Sequence, residues 1–193
     1  KSYDPIPSAQ HMAAVESIPG YVAIAELMLI IAPPAVHVDR GTLCDFSSWG
    51  ERGWCITELQ SAALSICETR VLWVTGGDST PMWASPYNVL QRIAGRGNFT
   101  CCDRNHVIHG HKIGCDKLKV HALLSSMLKA KVTHAEEVGH LADARYFRAA
   151  TPGILENLIP EAEPIPPVRE ADRNLLAEFL ELNHFADVHG DVT

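Results

Sequence analysis

An α/β fold with a short, mainly parallel sheet and a helical C-terminal half is the class this sequence predicts. Three observations carry it. Leu27-Met28-Leu29-Ile30-Ile31-Ala32 is a continuous apolar run, as expected of a strand covered on both faces. Val71-Leu72-Trp73-Val74 is a second such run, and between the two Cys55, Leu59, Ala62 and Ile66 recur with helical period. Strand, helix and strand in that order make a βαβ unit, which implies parallel strands with a right-handed crossover. Farther on, Val120, Leu123, Leu124, Met127 and Leu128 form the apolar stripe of a long helix.

Taken in order, Pro5 and Pro7 make residues 1–8 an extended lead-in. Residues 9–25 are helical in propensity, with a break or kink expected at Pro19-Gly20. The strand at 27–32 is ended by Pro33-Pro34. Residues 35–53 read as a long loop, and loops of that length are uncommon in compact domains unless they have a task. A helix is expected over 53–68, with Cys55 and Cys67 as buried thiols on it, and then the strand at 71–74. Gly76-Gly77-Asp78-Ser79-Thr80 closes that strand at a carboxyl end, where α/β folds bind ligands. It matches no phosphate-loop pattern and reads as a turn.

A short helix is expected around Tyr87–Ile93 and a short strand at Asn98–Cys102. His109-Gly110 suits a tight turn between that strand and Lys112-Ile113. Asp116 is expected to cap a helix over 117–131, with further helices over 138–150 and 152–158. Residues 1–158 thus make the α/β domain. Residues 159–167 are proline-rich and read as a stiff linker. In the terminal segment 168–193, Ala171, Leu175, Phe179 and Leu182 outline an amphipathic helix over 168–185.

Composition narrows the function classes. Sixteen basic residues against 23 acidic ones give a net charge of −7. No basic surplus is available to replace counterions on a nucleic acid, and no polybasic patch marks a membrane surface. No apolar run is long enough to span a bilayer, and no signal peptide is visible. The chain opens on Lys1 and reads as a processed or partial one. A chain of 193 residues with six cysteines has no need of disulfides for a core, so a cytoplasmic or other reducing intracellular compartment is expected.

The segment with most chemical content is Trp54-Cys55-Ile56-Thr57-Glu58, which opens the expected helix. Trp54 and Glu58 lie one helical turn apart on one face. Leu27–Ala32, then Ser47-Ser48-Trp49, then Trp54-Cys55-Ile56-Thr57-Glu58-Leu59, then Arg70–Val74 resembles the second half of a TIR (Toll/interleukin-1 receptor) domain. The likeness spans residues 17–76. A wider string, Ser17-Ile18-Pro19-Gly20-Tyr21-Val22 with Arg52-Gly53-Trp54-Cys55 and Phe99-Thr100-Cys101-Cys102, is similar to TIR-like proteins of algae and other protists. The strand, helix, second strand and mobile loop that open the family's domain have no counterpart before residue 9, so the domain is expected to be N-terminally incomplete.

The resemblance implies a protein-interaction or signalling module, or an accessory subunit in a larger assembly. Its partners would be other protein chains, which could complete the sheet edge. It also implies an alternative, an NAD glycohydrolase in which Glu58 is catalytic and Trp49, Trp54 and Ser48 line the substrate pocket. A carboxylate can stabilise the oxocarbenium character that develops when the nicotinamide–ribose bond breaks. The plainer reading of Glu58 is a first-turn acid favoured by the helix dipole.

A second alternative, a zinc module, rests on Cys101, Cys102, His106, His109, His111 and Cys115. Their spacing meets no zinc-pairing rule, and adjacent cysteines rarely share one ion, so zinc is not favoured and no cofactor is required. NAD enters only as a candidate substrate.

Overall fold

A computed structural model describes residues 13–14, 17–67, 69–85, 89, 91–108 and 110–158. The expected linker at 159–167, the helix over 168–185 and, in the helix expected around Tyr87–Ile93, residues 87, 88 and 90 lie outside the described residues.

The βαβ unit is present. Strand β1 (Leu27–Ile31) runs parallel to β4 (Arg70–Val74), with Leu27 beside Arg70 and Ile31 beside Val74. Between them lie the hairpin strands β2 (Ala35–Val36) and β3 (Leu43–Cys44), the short helix α2 (Phe46–Trp49) and the crossover helix α3 (Gly53–Leu64). Strand β5 (Met82–Trp83) adds antiparallel to β4, so the sheet order is β1-β4-β5. The 35–53 segment is therefore a small folded unit rather than an irregular loop. Asp45 and Ser48 close a capping box that starts α2.

Helix α1 (Ile18–Ile24) contains Pro19-Gly20 instead of breaking there. Proline falls in its first turn, where the missing N–H has no intrahelical partner to lose. Helix α3 stops at Leu64, so Ile66 and Cys67 lie beyond it and both are exposed.

A 3₁₀ turn (Ala94–Arg96) precedes α4 (Thr100–Asp103), which stands where a strand was expected. The backbone around Asn98 has other work. Gly53 N–H donates to Asn98 O at 3.0 Å and Asn98 N–H to Glu51 O at 2.7 Å, zipping this segment onto the entrance of α3. A hairpin does form here, but its strands are β6 (Val107–Ile108) and β7 (His111–Lys112), with Gly110 between them at φ +79°. Helix α5 (Asp116–Glu137) buries the expected stripe from Val120 to Leu128 and continues to Glu137. Its cap is Cys115, and Asp116 is its first residue. Helix α6 (Leu141–Ile154) is one helix where two were expected, and it carries Pro152 in its last turn. Beyond the proline, Ile154 and Leu158 are buried in the core.

These elements stack in layers with α3 in the middle. One side of α3 offers Leu59 and Ala62 to Ile30 and Val71 of the sheet. The other offers Ile56 and Leu64 to Phe99 and to Val120, Leu124 and Leu128 of α5. A helix buried on both sides accommodates polar groups at least cost when they are satisfied locally. Thr57 Oγ1 donates to Gly53 O at 2.7 Å and Ser61 Oγ to Thr57 O at 2.8 Å. Gln60 is satisfied only on one side: its Nε2 donates to Arg92 O at 2.8 Å, while its Oε1 is buried without a partner among the described residues.

Candidate functional site

Three places stand out in the structure, two of them built from residues singled out by sequence. The first is the α3 entrance. Glu58 stands exposed on α3, yet its carboxyl is raised above the usual range. Desolvation by the surrounding chain raises it, and the Arg52 guanidinium pulls the other way. Trp54 turns its indole from the entrance toward α5. Its Nε1–H donates to Asp116 Oδ2 at 3.2 Å, and its ring meets Phe99 edge-on at 6.3 Å between centroids. Phe99 itself is buried against Gly53, where a Cβ would lie 2.2 Å from the ring. Asp116 also holds Lys119 at 2.8 Å, so one carboxylate ties the two helix starts together.

Trp49 and Ser48 belong elsewhere. Trp49 stacks on Phe46 at 5.8 Å and packs on the sheet-side cluster with Trp73. Ser48 Oγ accepts from Asp45 N–H and serves the cap of α2. The two indoles therefore join different apolar clusters on either side of α3. A cavity of about 380 Å³ lies between α5 and α6, lined by Leu128, Val132, Thr151 and Leu155, and takes no residue from α3.

The second place is the segment from Thr100 to Cys115. Cys101 Sγ, Cys102 Sγ, the His106 ring and Cys115 Sγ all converge within 4.8 Å of one another. Cys101 is buried and the other three are half-buried. Burial, followed by the Cys115 and Cys101 thiols beside it, pushes the Cys102 thiol up to about 12. Burial raises Cys101 as well, while the Asp116 N–H donated to its sulfur acts in the opposite direction. His109 lies outside the described residues, and His111 is described only as backbone in β7. Spacing along the chain hides this gathering, because a tight turn after α4 brings His106 back beside Cys102.

The third place went unnoticed in the sequence. The register of the sheet puts Leu27, Leu29 and Ile31 of β1, Arg70, Leu72 and Val74 of β4, and Trp83 of β5 on the face away from α3. Leu27 is 46% exposed, Leu29 49%, Ile31 67% and Trp83 58%. Arg70 lies over the Trp83 ring at 5.6 Å. A parallel pair is normally covered on both faces, and β1 looked like such a strand. Among the described residues, one face of β1 is open. Its signal was the continuous apolar run itself, which contains no polar residue for a face turned to water.

The turn at Gly76–Ser79 is a plain one: Ser79 Oγ donates to Gly76 O at 2.8 Å and accepts from Thr75 N–H at 3.2 Å. Among the described residues no helix is long and apolar enough to cross a membrane. Comparison with protein-family models, with curated proteins and with solved structures finds no match for this chain.

Proposed function

We propose that this chain is a TIR-like protein-interaction module, an accessory subunit that docks another protein chain on the open face of its sheet. The observation that carries the reading is the apolar face of Leu27, Leu29, Ile31, Leu72, Val74 and Trp83 opposite α3. Apolar surface of this kind on a folded domain marks an interaction site. Among the described residues of this sheet face there is one charge, the Arg70 guanidinium, and the partner that fits it presents an apolar surface with a carboxylate opposite that residue. The chain's own net charge of −7 disfavours a second copy as the occupant. Strand β1 pairs with β4 alone among the described residues, so its other edge is a second point of attachment.

The test uses the full chain and its co-purifying partner. Leu29→Lys and Ile31→Lys abolish association while leaving the thermal midpoint unchanged. Arg70→Glu weakens it, and a carboxylate-to-lysine change on the partner restores it. Association that survives Leu29→Lys overturns the reading. So does protection of this face from hydrogen exchange in the isolated monomer, which would assign its cover to residues 168–193. In this reading Glu58 reacts with nothing, and incubation with NAD releases no nicotinamide. Turnover that disappears in Glu58→Ala would replace docking with NAD hydrolysis.

A further inference from the structure

We propose that Cys101, Cys102, His106 and Cys115 form a closed tetrahedral zinc site that fastens the segment 100–115 to the start of α5. The three spacings from Cys102 match the edges of a zinc tetrahedron, and the remaining three lie within 4.8 Å. With a Zn–S bond near 2.3 Å, two sulfurs on one ion stand about 3.8 Å apart, and a sulfur and an imidazole nitrogen about 3.5 Å. Cys102 Sγ lies 3.9 Å from Cys101 Sγ, 3.8 Å from Cys115 Sγ and 3.6 Å from His106 Nε2. A disulfide would need a separation of about 2.05 Å. Three thiols and one imidazole leave no position for a substrate, which is the donor set of a structural ion. Soft sulfur donors also select against magnesium and calcium.

The chain around the cluster is shaped for it. Asn105 and His106 adopt φ of +50° and +58°, a region that residues other than glycine enter at a cost. That turn, held by His106 N–H to Cys101 O at 2.7 Å, returns the imidazole to Cys102. At the other end, Cys115 occupies the N-cap position of α5, and the Asp116 N–H donates to Cys101 Sγ at 3.3 Å. The first turn of a helix favours negative charge, here that of the bound thiolates.

The segment packs on the core through Cys101 and Ile113, but its own elements are short. Helix α4 has four residues, and β6 and β7 have two each. A two-stranded hairpin is marginal by itself, and metal binding supplies folding free energy directly. On binding, three thiol protons leave to solvent and His106 enters neutral, so the charge of the site falls by one.

Elemental analysis of the purified, dialysed full chain tests the proposal. It returns about one zinc per chain. Replacement by cobalt gives a thiolate-to-cobalt charge-transfer band. Cys102→Ser and Cys115→Ser lose the metal, whereas Cys44→Ser and Cys67→Ser keep it. Since the ligand variants could unfold, His106→Cys supplies an independent readout. It retains four ligands, keeps the zinc and moves the cobalt spectrum toward the four-thiolate form. A chelator lowers the thermal midpoint of the intact chain, and zinc, but not magnesium, restores it. Three results would overturn the site: folded chain with under about a tenth of an equivalent of zinc, a Cys102–Cys115 disulfide in it, or full zinc retained by Cys102→Ser/Cys115→Ser.

Discussion

Glu58 shows how a single carboxyl records its surroundings. It is exposed on α3, but the chain around it removes enough water to raise its pKa, and Arg52 offsets this only in part. A carboxyl raised in the folded state binds its proton more tightly there than when unfolded. Its stabilising effect is therefore complete at low pH and is lost as pH rises through the folded pKa. Glu58→Gln should then raise the thermal midpoint near pH 8, and the gain should vanish below about pH 4. Solvent screening at an exposed position keeps the gain under about 1 kcal/mol. Thermal melts of the two proteins across this range check the sign. An advantage that grew as pH fell would mean that Glu58 is stabilised as the anion.

At the scale of elements, the link between α5 and α6 depends on one glycine. Gly139 has φ +80°. His140 N–H donates to Ala135 O at 2.7 Å and Gly139 N–H to Glu136 O at 3.1 Å, the paired hydrogen bonds of a Schellman motif. The motif ends α5 and turns the chain back so that α6 lies along it, with Arg148 and Glu136 ion-paired across the two helices. A side chain at Gly139 meets no atoms, so its only penalty is conformational. Gly139→Ala should cost about 1 kcal/mol, and denaturant unfolding measures it. Gly139→Asn should cost less, because asparagine tolerates this conformation. Helix α3 shows the opposite dependence. Its strand-side and helix-side contacts leave it nearly encircled, so its boundaries follow its neighbours more than its own caps.

At the scale of the whole molecule, the decisive feature is that among the described residues the sheet has a covered face and an open one. Adjacent residues of β1 should therefore respond in opposite ways. Ile30 is 3% exposed beneath α3, and Ile30→Ala should destabilise the chain by about 2–5 kcal/mol. Leu29, its neighbour on the open face, should tolerate lysine with little change in stability while association is lost. Equal destabilisation at both positions, read from denaturant midpoints, would mean that the open face is covered in the isolated chain.

The sequence alone determined the parallel βαβ unit, the stripe of α5 and the apolar character of β1. Each is a matter of period and order along the chain, which backbone geometry converts directly into structure. Tertiary structure decided what those patterns face. It turned Trp54 toward Asp116 and Phe99, put Trp49 in the opposite cluster, and gave α3 two partners instead of one. It also gathered Cys101, Cys102, His106 and Cys115, whose spacing obeys no local rule. These four side chains meet through the local turn at Asn105-His106 and through the placement of Cys115 at the start of α5, which follows from packing between residues far apart in the chain.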